Sequence, residues 1–384
     1  MAEMVIGTDD VLPDVSLPPI QYTPPTDDDV SIILTTIAGL HYNGGNAIEG
    51  YDLDVIHAVR DRLDQLYYWA VEEKHFRDSS PPLVLANERL VALLVKLIET
   101  NRPKIIVSVF RALRELLLHP ARVPNYSDFL PLLCKSLQQF PNMEDLVEEG
   151  VATIAAMATV NPEAILVSDG VSAVLQAMQK APNLLPVHRF GCLLFAALVD
   201  GKRPDPTEAP AALLLVHIGV VVDFMCRAYQ RQTQDTAVSA AVAHTLAVMA
   251  SIPQNHEELV SHRLVLSTLR HLAEHHHFTT RTVQDALTAV SELCGELDRL
   301  QQRTIALSIK ELMMRTTETE TLATCVAVVL KLLRNGGEEM QHFVVENQVP
   351  QVIAIALDHF GEDDDVLRDI CMTALREMVI SKLR

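Results

Sequence analysis

The stretch NPEAILVSDGVSAVLQAMQKAPNLLPVHRFGCLLFAALVD, residues 161–200, decides how the rest of the chain is read. A short helix is predicted from Pro162, because a proline suits a first helical turn, where its missing N–H loses no partner. Ser168-Asp169-Gly170 then makes a sharp turn. VSAVLQAMQKA reads as a second helix and, beyond a proline-containing loop, VHRFGCLLFAALV as a third. Residues 337–380 repeat this plan with Asn347-Gln348 in place of the turn glycine, and residues 253–294 repeat it with His262-Arg263 there.

The third helix carries an eight-residue pattern: small or β-branched, apolar, two free positions, apolar, two free positions, apolar. It recurs as Val109-Phe110-Leu113-Leu116, Gly150-Val151-Ile154-Met157, Gly191-Cys192-Phe195-Leu198, Val242-Ala243-Leu246-Met249, Ala286-Leu287-Val290-Leu293, Cys325-Val326-Val329-Leu332 and Cys371-Met372-Leu375-Met378. Successive last members lie 41, 41, 51, 44, 39 and 46 residues apart. Self-similarity at such a period marks a helical solenoid. Each unit is too small to bury its own apolar face and must stack on its neighbours. The insertion DGKRPDPTEAP (200–210) accounts for the long step and reads as an exposed, solvated loop. A solenoid offers a long surface rather than a closed active site, so the expectation is a binding scaffold.

Composition agrees. Of 384 residues, 49% are hydrophobic, but only 5% are aromatic and Trp69 is the single tryptophan. Leu, Val, Ala, Ile and Met favour helix–helix packing, where small and unbranched side chains interdigitate. A net charge of −19 argues against nucleic acid, whose phosphates need clustered Lys and Arg. Cys134, Cys192, Cys226, Cys294, Cys325 and Cys371 are scattered over predicted helices without zinc spacing. They read as reduced core residues, which points to a cytoplasmic compartment. MAEMVIGTDDVLPD is acidic and lacks an apolar core, so no secretory signal is expected. LLLVHIGVVVDFM (213–225) is too short to span a bilayer and reads as a buried helix; no membrane insertion is expected.

Three regions follow. Residues 1–27, with Pro13, Pro18, Pro19, Pro24 and Pro25 among acidic residues, read as an extended or disordered tail. Residues 28–80 read as a helical cap or degenerate first repeat, with one helix from the Asp27–Asp29 carboxylates to about Tyr42 and another from about Asp52 to Phe76. Residues 81–384 read as the repeat array.

The NPEAILVSDGVSAVLQAM and EEMQHFVVENQVPQVIAIAL starts, with the small–apolar–apolar–apolar third helices, resemble the armadillo repeat family over residues 81–384. The resemblance implies an all-α fold: a right-handed superhelical solenoid of about seven three-helix, armadillo-like repeats behind a helical N-terminal cap. It also implies that third helices line a concave groove. Two positions would project there, five before and one before the last patterned residue. The first set is Arg111, Ala152, Leu193, His244, Thr288, Ala327 and Thr373; the second is Glu115, Ala156, Ala197, Val248, Glu292, Lys331 and Glu377. Neither set has the Trp and Asn with which nuclear-import members hold a basic peptide. The middle is apolar and both ends carry Glu, which suits an amphipathic helix with basic flanks. The opposing reading is that curvature or the N-terminal helices bury that strip.

Chemistry finds little footing. No phosphate-binding glycine loop, nucleophile elbow or HExxH motif occurs. HLAEHHH (271–277) gathers His271 and His275–His277 at a helix end, where a solvated end complementing the dipole outweighs a metal site. Glu362-Asp363-Asp364-Asp365 lacks the spacing of a calcium loop and reads as a helix start. The leading expectation is a non-enzymatic scaffold without cofactor, with a cytoskeletal or ciliary setting by family analogy alone. The rivals are an armadillo-type chaperone regulator acting as a nucleotide-exchange factor, and a metal-dependent enzyme using the histidine cluster.

Overall fold

Within 161–200 the local signals give the expected helices. The Asn161 side chain accepts from the Ala164 N–H at 3.1 Å and caps the short helix that Pro162 opens. Ser168 Oγ accepts from the Gly170 N–H at 3.2 Å, which closes the turn into the second helix. The computed structural model describes residues 31–32, 35–36, 53–75, 88–99, 101–117, 129–200, 218–274, 279–361 and 364–380. Among them there is no strand.

The chain divides into two compact units, residues 1–201 and 202–384. The boundary between them falls at the stretch read as an insertion, most of which lies outside the described residues. The first unit holds α1 (Leu53–His75), α2 (Glu88–Ile98), α3 (Pro103–Leu117), α4 (Leu130–Gln139), α5 (Glu144–Val160), α6 (Pro162–Val167), α7 (Gly170–Lys180) and α8 (Leu185–Asp200). The second holds α9 (Ile218–Arg231), α10 (Thr236–Ala250), α11 (His256–Ser261), α12 (Val265–Glu274), α13 (Thr280–Leu293), α14 (Arg299–Met313), α15 (Thr319–Glu346), α16 (Val349–Phe360) and α17 (Asp365–Ile380).

Each unit is built as two rows of stacked helices. In the first, α1, α3, α5 and α8 pack each on the next, while α2, α4 and α7 form the second row. In the other, α10, α13, α15 and α17 stack consecutively beside α9, α12, α14 and α16. All seven patterned segments fall in the first kind of row. Their apolar residues are buried, Phe110 and Phe195 completely. The last repeat departs from this: in α17 Met372 is exposed and Leu375 half-buried. Among the described residues, no further helix stacks beyond it. Helix α1 packs on α3 as α3 packs on α5, with Val59, Leu63 and Leu66 fully buried, so it takes a third-helix place in the row.

A uniform three-helix layout is not found. Short first helices precede α7 and α12, and a third occupies the second half of α15. There the helical hydrogen bonding runs on, but Gly337 at φ 59 and ψ −152 breaks the helix in two. Between α13 and α14 only Cys294–Asp298 intervene, too short for an extra helix, and Asp298 and Gln301 form a reciprocal cap instead. That repeat has the two-helix layout. Of the predicted N-terminal helix, Ser31, Ile32, Thr35 and Thr36 are helical, and the rest of residues 1–52 lies outside the described residues. The helix predicted in 213–225 is described from Ile218 onward and runs to Arg231. No single helix among the described residues is long and apolar enough to cross a membrane.

Candidate binding face

The third-helix rows carry charge in a repeating geometry. Glu149 on α5 accepts from Arg111 Nε and Arg114 Nη1 of α3, both at 2.7 Å. Arg114 Nε also donates to Glu115 at 3.1 Å. In the second unit His244 of α10 lies 3.5 Å from Asp285 of α13. Lys331 of α15 donates to Glu292 of α13 at 3.1 Å and to the Ser291 carbonyl at 3.3 Å. Arg334 of α15 donates twice to Glu377 of α17, at 3.1 and 2.7 Å. Apart from Arg114–Glu115, which lies within α3, each pair joins one third helix to the next, one repeat along the chain. The Glu149 bond raises the pKa of Arg111, and the Glu377 bond does the same for Arg334. Burial, followed by the nearby Glu115 and Glu149 charges, lifts the Tyr67 hydroxyl on α1.

These contacts change the reading of the predicted groove residues. Ala152, Ala156 and Ala197 are buried at 2%, 6% and 7% exposure, so the apolar middle is not an open strip. An alanine methyl is too short to emerge between adjoining helices, and only Leu193 and Val248 reach partial exposure. Glu115, Glu292 and Glu377 are not free acidic anchors, because Arg114, Lys331 and Arg334 already engage them. Thr288 is exposed, Ala327 half-buried, and half-buried Thr373 turns its hydroxyl back to the Asp369 carbonyl at 2.8 Å. Sequence reasoning missed Arg114, Glu149, Asp285 and Arg334. Opposite charges recurring one repeat apart on third helices were the available signal.

Metal chemistry finds no support among the described residues, where no group of three or more His, Cys, Asp or Glu could hold an ion. His271 is engaged inside the fold, its Nδ1 paired with the hydroxyl of buried Tyr229; His275–His277 lie outside the described residues. Asp364 caps α17 by accepting from the Leu367 N–H at 3.0 Å, which lowers its pKa. Glu362 and Asp363 lie outside the described residues. All six cysteines are buried thiols, with Cys294 one residue past the end of α13 rather than within a helix. A recess lined by Leu137, Gln138, Ala173, Gln176 and Lys180 encloses about 10 Å³, room for a single water.

Solved structures align with most of this chain. An engineered protein from a structural genomics programme aligns at 16% identity and a TM-score of 0.54, over 91% of this chain and 88% of that one. A chain from a structure concerning a phosphorylation switch in the interaction between cadherin and beta-catenin aligns at 11% identity and 0.48, over 92% and 84%. UNC-45 from Drosophila melanogaster aligns at 12% identity and 0.37, over 92% of this chain and 52% of that one. No family model matches, and no curated protein does. Stacked rows with a period near forty residues, mixing three-helix and two-helix layouts, give each unit the fold of an armadillo- or HEAT-like helical solenoid.

Proposed function

We propose that the protein is a non-enzymatic scaffold that holds a protein partner along the third-helix face of its units. The observation that carries this is the ion pairing between successive third helices. Paired in this way, Arg111, Lys331 and Arg334 are held in place before a partner arrives, so less side-chain freedom is lost on binding. A surface repeated at one-repeat intervals suits an elongated segment better than a small molecule. In each unit separately, half-buried Leu193 or Val248 offers a single apolar contact, not a continuous apolar strip for an amphipathic helix. A basic flank on that helix would have to displace Arg114, Lys331 or Arg334 from their glutamates.

The test is affinity purification of the full chain from its own cells, with quantitative mass spectrometry of what co-purifies. Leu193→Glu and Val248→Glu are compared with the parent after circular dichroism shows that they remain folded. One near-stoichiometric protein, depleted at least several-fold by these changes, is expected. Full retention by both variants, or cross-links mapping to the second-helix rows, would refute the reading.

A further inference from the structure

Helix α14, in the second-helix row, has two opposed faces. Gln302, Ile305, Ala306, Ile309, Leu312 and Met313 are buried, and the helix packs on α12, α15 and α16. On its other side Leu300, Leu307 and Met314 are 74%, 38% and 66% exposed. Seven residues make nearly two turns, so these side chains fall within an arc of about 40° and form a stripe about 21 Å long. Among the described residues, no other helix carries more than two exposed large apolar side chains.

Charge is arranged along the same stripe. In a chain of net charge −19, residues 299–315 carry Arg299, Arg303, Lys310 and Arg315 against Glu311 alone. At about 100° per residue, Arg299, Arg303 and Lys310 fall on one flank of the stripe, and Glu311 and Arg315 on the other. The neighbouring carboxylates are already engaged. Asp298 caps the helix. Glu339 alone serves both Arg299 at 2.6 Å and Arg303 at 2.7 Å, and Glu311 lies 3.5 Å from Arg315. Arg303 also lies over the Phe343 ring, 5.3 Å from its centroid, which holds it in place before a partner arrives. The side chain of Lys310 has no hydrogen bond or ion pair among the described residues.

We propose that α14 is a docking surface separate from the third-helix face, and that its occupant is an amphipathic helix with one acidic flank. Leu300, Leu307 and Met314 recur every seven residues, the interval at which a helix laid along another returns its side chains to the same line. An extended segment places same-side residues about 7 Å apart and cannot keep step with apolar side chains about 10 Å apart. The flank selects the charge. Carboxylates of the incoming helix meet Lys310 and share Arg299 and Arg303 with Glu339, whereas a basic flank would face three cations against one carboxylate. The surface lies on one helix of one unit, so it stands or falls independently of the third-helix reading.

The experiment is selection on the full chain from a library of twenty-residue helical peptides whose flanks are randomised among Glu, Lys and Gln, followed by fluorescence anisotropy of the enriched peptides. Glu is expected along one flank, with affinity falling as salt rises. Leu300→Gln with Leu307→Gln is expected to weaken the best peptide by roughly tenfold. Lys310→Glu is expected to turn the preference from Glu towards Lys. Leu300 and Met314 are mostly exposed, so Leu300→Gln with Met314→Gln keeps folding intact and the test open should the change at Leu307 perturb packing. Lys-flanked peptides, Glu-flanked peptides that none of these variants weakens, or peptides weakened equally by Leu193→Glu in the other unit would overturn the proposal. So would sedimentation with phosphatidylserine vesicles in place of peptide binding, which assigns the stripe to a membrane surface, or a concentration-dependent dimer dissolved by Leu300→Gln with Leu307→Gln, which assigns it to a second copy.

Discussion

Two glutamates in this chain make nearly the same bonds in different surroundings, and replacing each by glutamine separates the effect of burial from that of geometry. Glu149 bridges Arg111 and Arg114 at 2.7 Å each. Glu339 bridges Arg299 at 2.6 Å and Arg303 at 2.7 Å. The Glu149 side chain is 9% exposed and the Glu339 side chain 45%. A hydrogen bond to a charged group contributes about 1.5–3 kcal/mol. In Glu149→Gln, Arg111 recovers most of its share by rehydration, whereas the more covered Arg114 keeps only Glu115 at 3.1 Å. The expected net cost is about 2 kcal/mol, below the 3–5 typical of a fully buried pair. Glu339→Gln falls among exposed pairs, at about 0.5 kcal/mol. Hydrogen exchange in the full chain is the suitable assay, because two compact units need not unfold in one transition. Amides of α5 should exchange about thirtyfold faster in Glu149→Gln, and those around Glu339 about twofold faster in Glu339→Gln. Equal losses in both variants, or less than threefold for Glu149→Gln, would refute the argument that burial governs these bridges.

Other perturbations have equally defined outcomes. In Gly150→Ala the new methyl would meet Leu137 Cδ2 at 2.7 Å and the Phe110 ring at 3.2 Å, so the melting of the first unit should drop by the equivalent of about 1–3 kcal/mol. Gly191→Ala should cost less, because its methyl meets only the flexible side chain of Met178. Gln348 sits at φ 61, so Gln348→Gly should raise stability by about 0.5–1 kcal/mol in a thermal melt. Burial pushes the Cys134 and Cys371 thiols up to about 11 and those of Cys226 and Cys294 to about 12. A native chain at pH 8 should therefore resist a thiol reagent that labels all six cysteines in denaturant, as counted by mass spectrometry. The sign of the linkage follows from the raised values. Below the ordinary thiol pKa of 9.0 these groups do not oppose folding, and their contribution is lost as pH climbs from there toward 11–12. Denaturation midpoints that rise over that interval would contradict it.

The rows of third helices were legible because their pattern states a packing requirement. Its first position is Gly150 on α5 and Gly191 on α8, and at both the added Cβ would strike a side chain of a neighbouring helix. A small residue followed by apolar residues at helical spacing is what such an approach demands. The starts of α6 and α7 were legible for a local reason: Pro162 and the Ser168–Gly170 turn act within a few residues, whereas α8 begins at Leu185 and takes in Pro186, which the sequence reading left in the loop. Two things were not legible. Whether a repeat has a first helix depends on its connection, and the five residues Cys294–Asp298 carry no pattern that announces its loss. Depth on the groove face is also invisible, because helical spacing gives the direction in which Ala152 or Ala197 points but not the distance to the adjoining helix.

That difference between direction and depth determines which substitutions can report on binding. Charging Ala156 and Ala197 would be the natural probe of an open apolar strip. At 6% and 7% exposure, each carboxylate would be placed between helices without a partner. An unpaired charge buried in this way costs several kcal/mol, comparable to the stability of a domain. Loss of a partner from such a variant would follow from local unfolding whether or not the partner touched that face. The outward arginines behave differently. Arg334→Gln removes a guanidinium that is already largely hydrated and leaves Glu377 able to turn to water, so a change in binding can be assigned to the contact. The face can therefore be interrogated through its ion pairs, and the alanines between them answer only questions about folding.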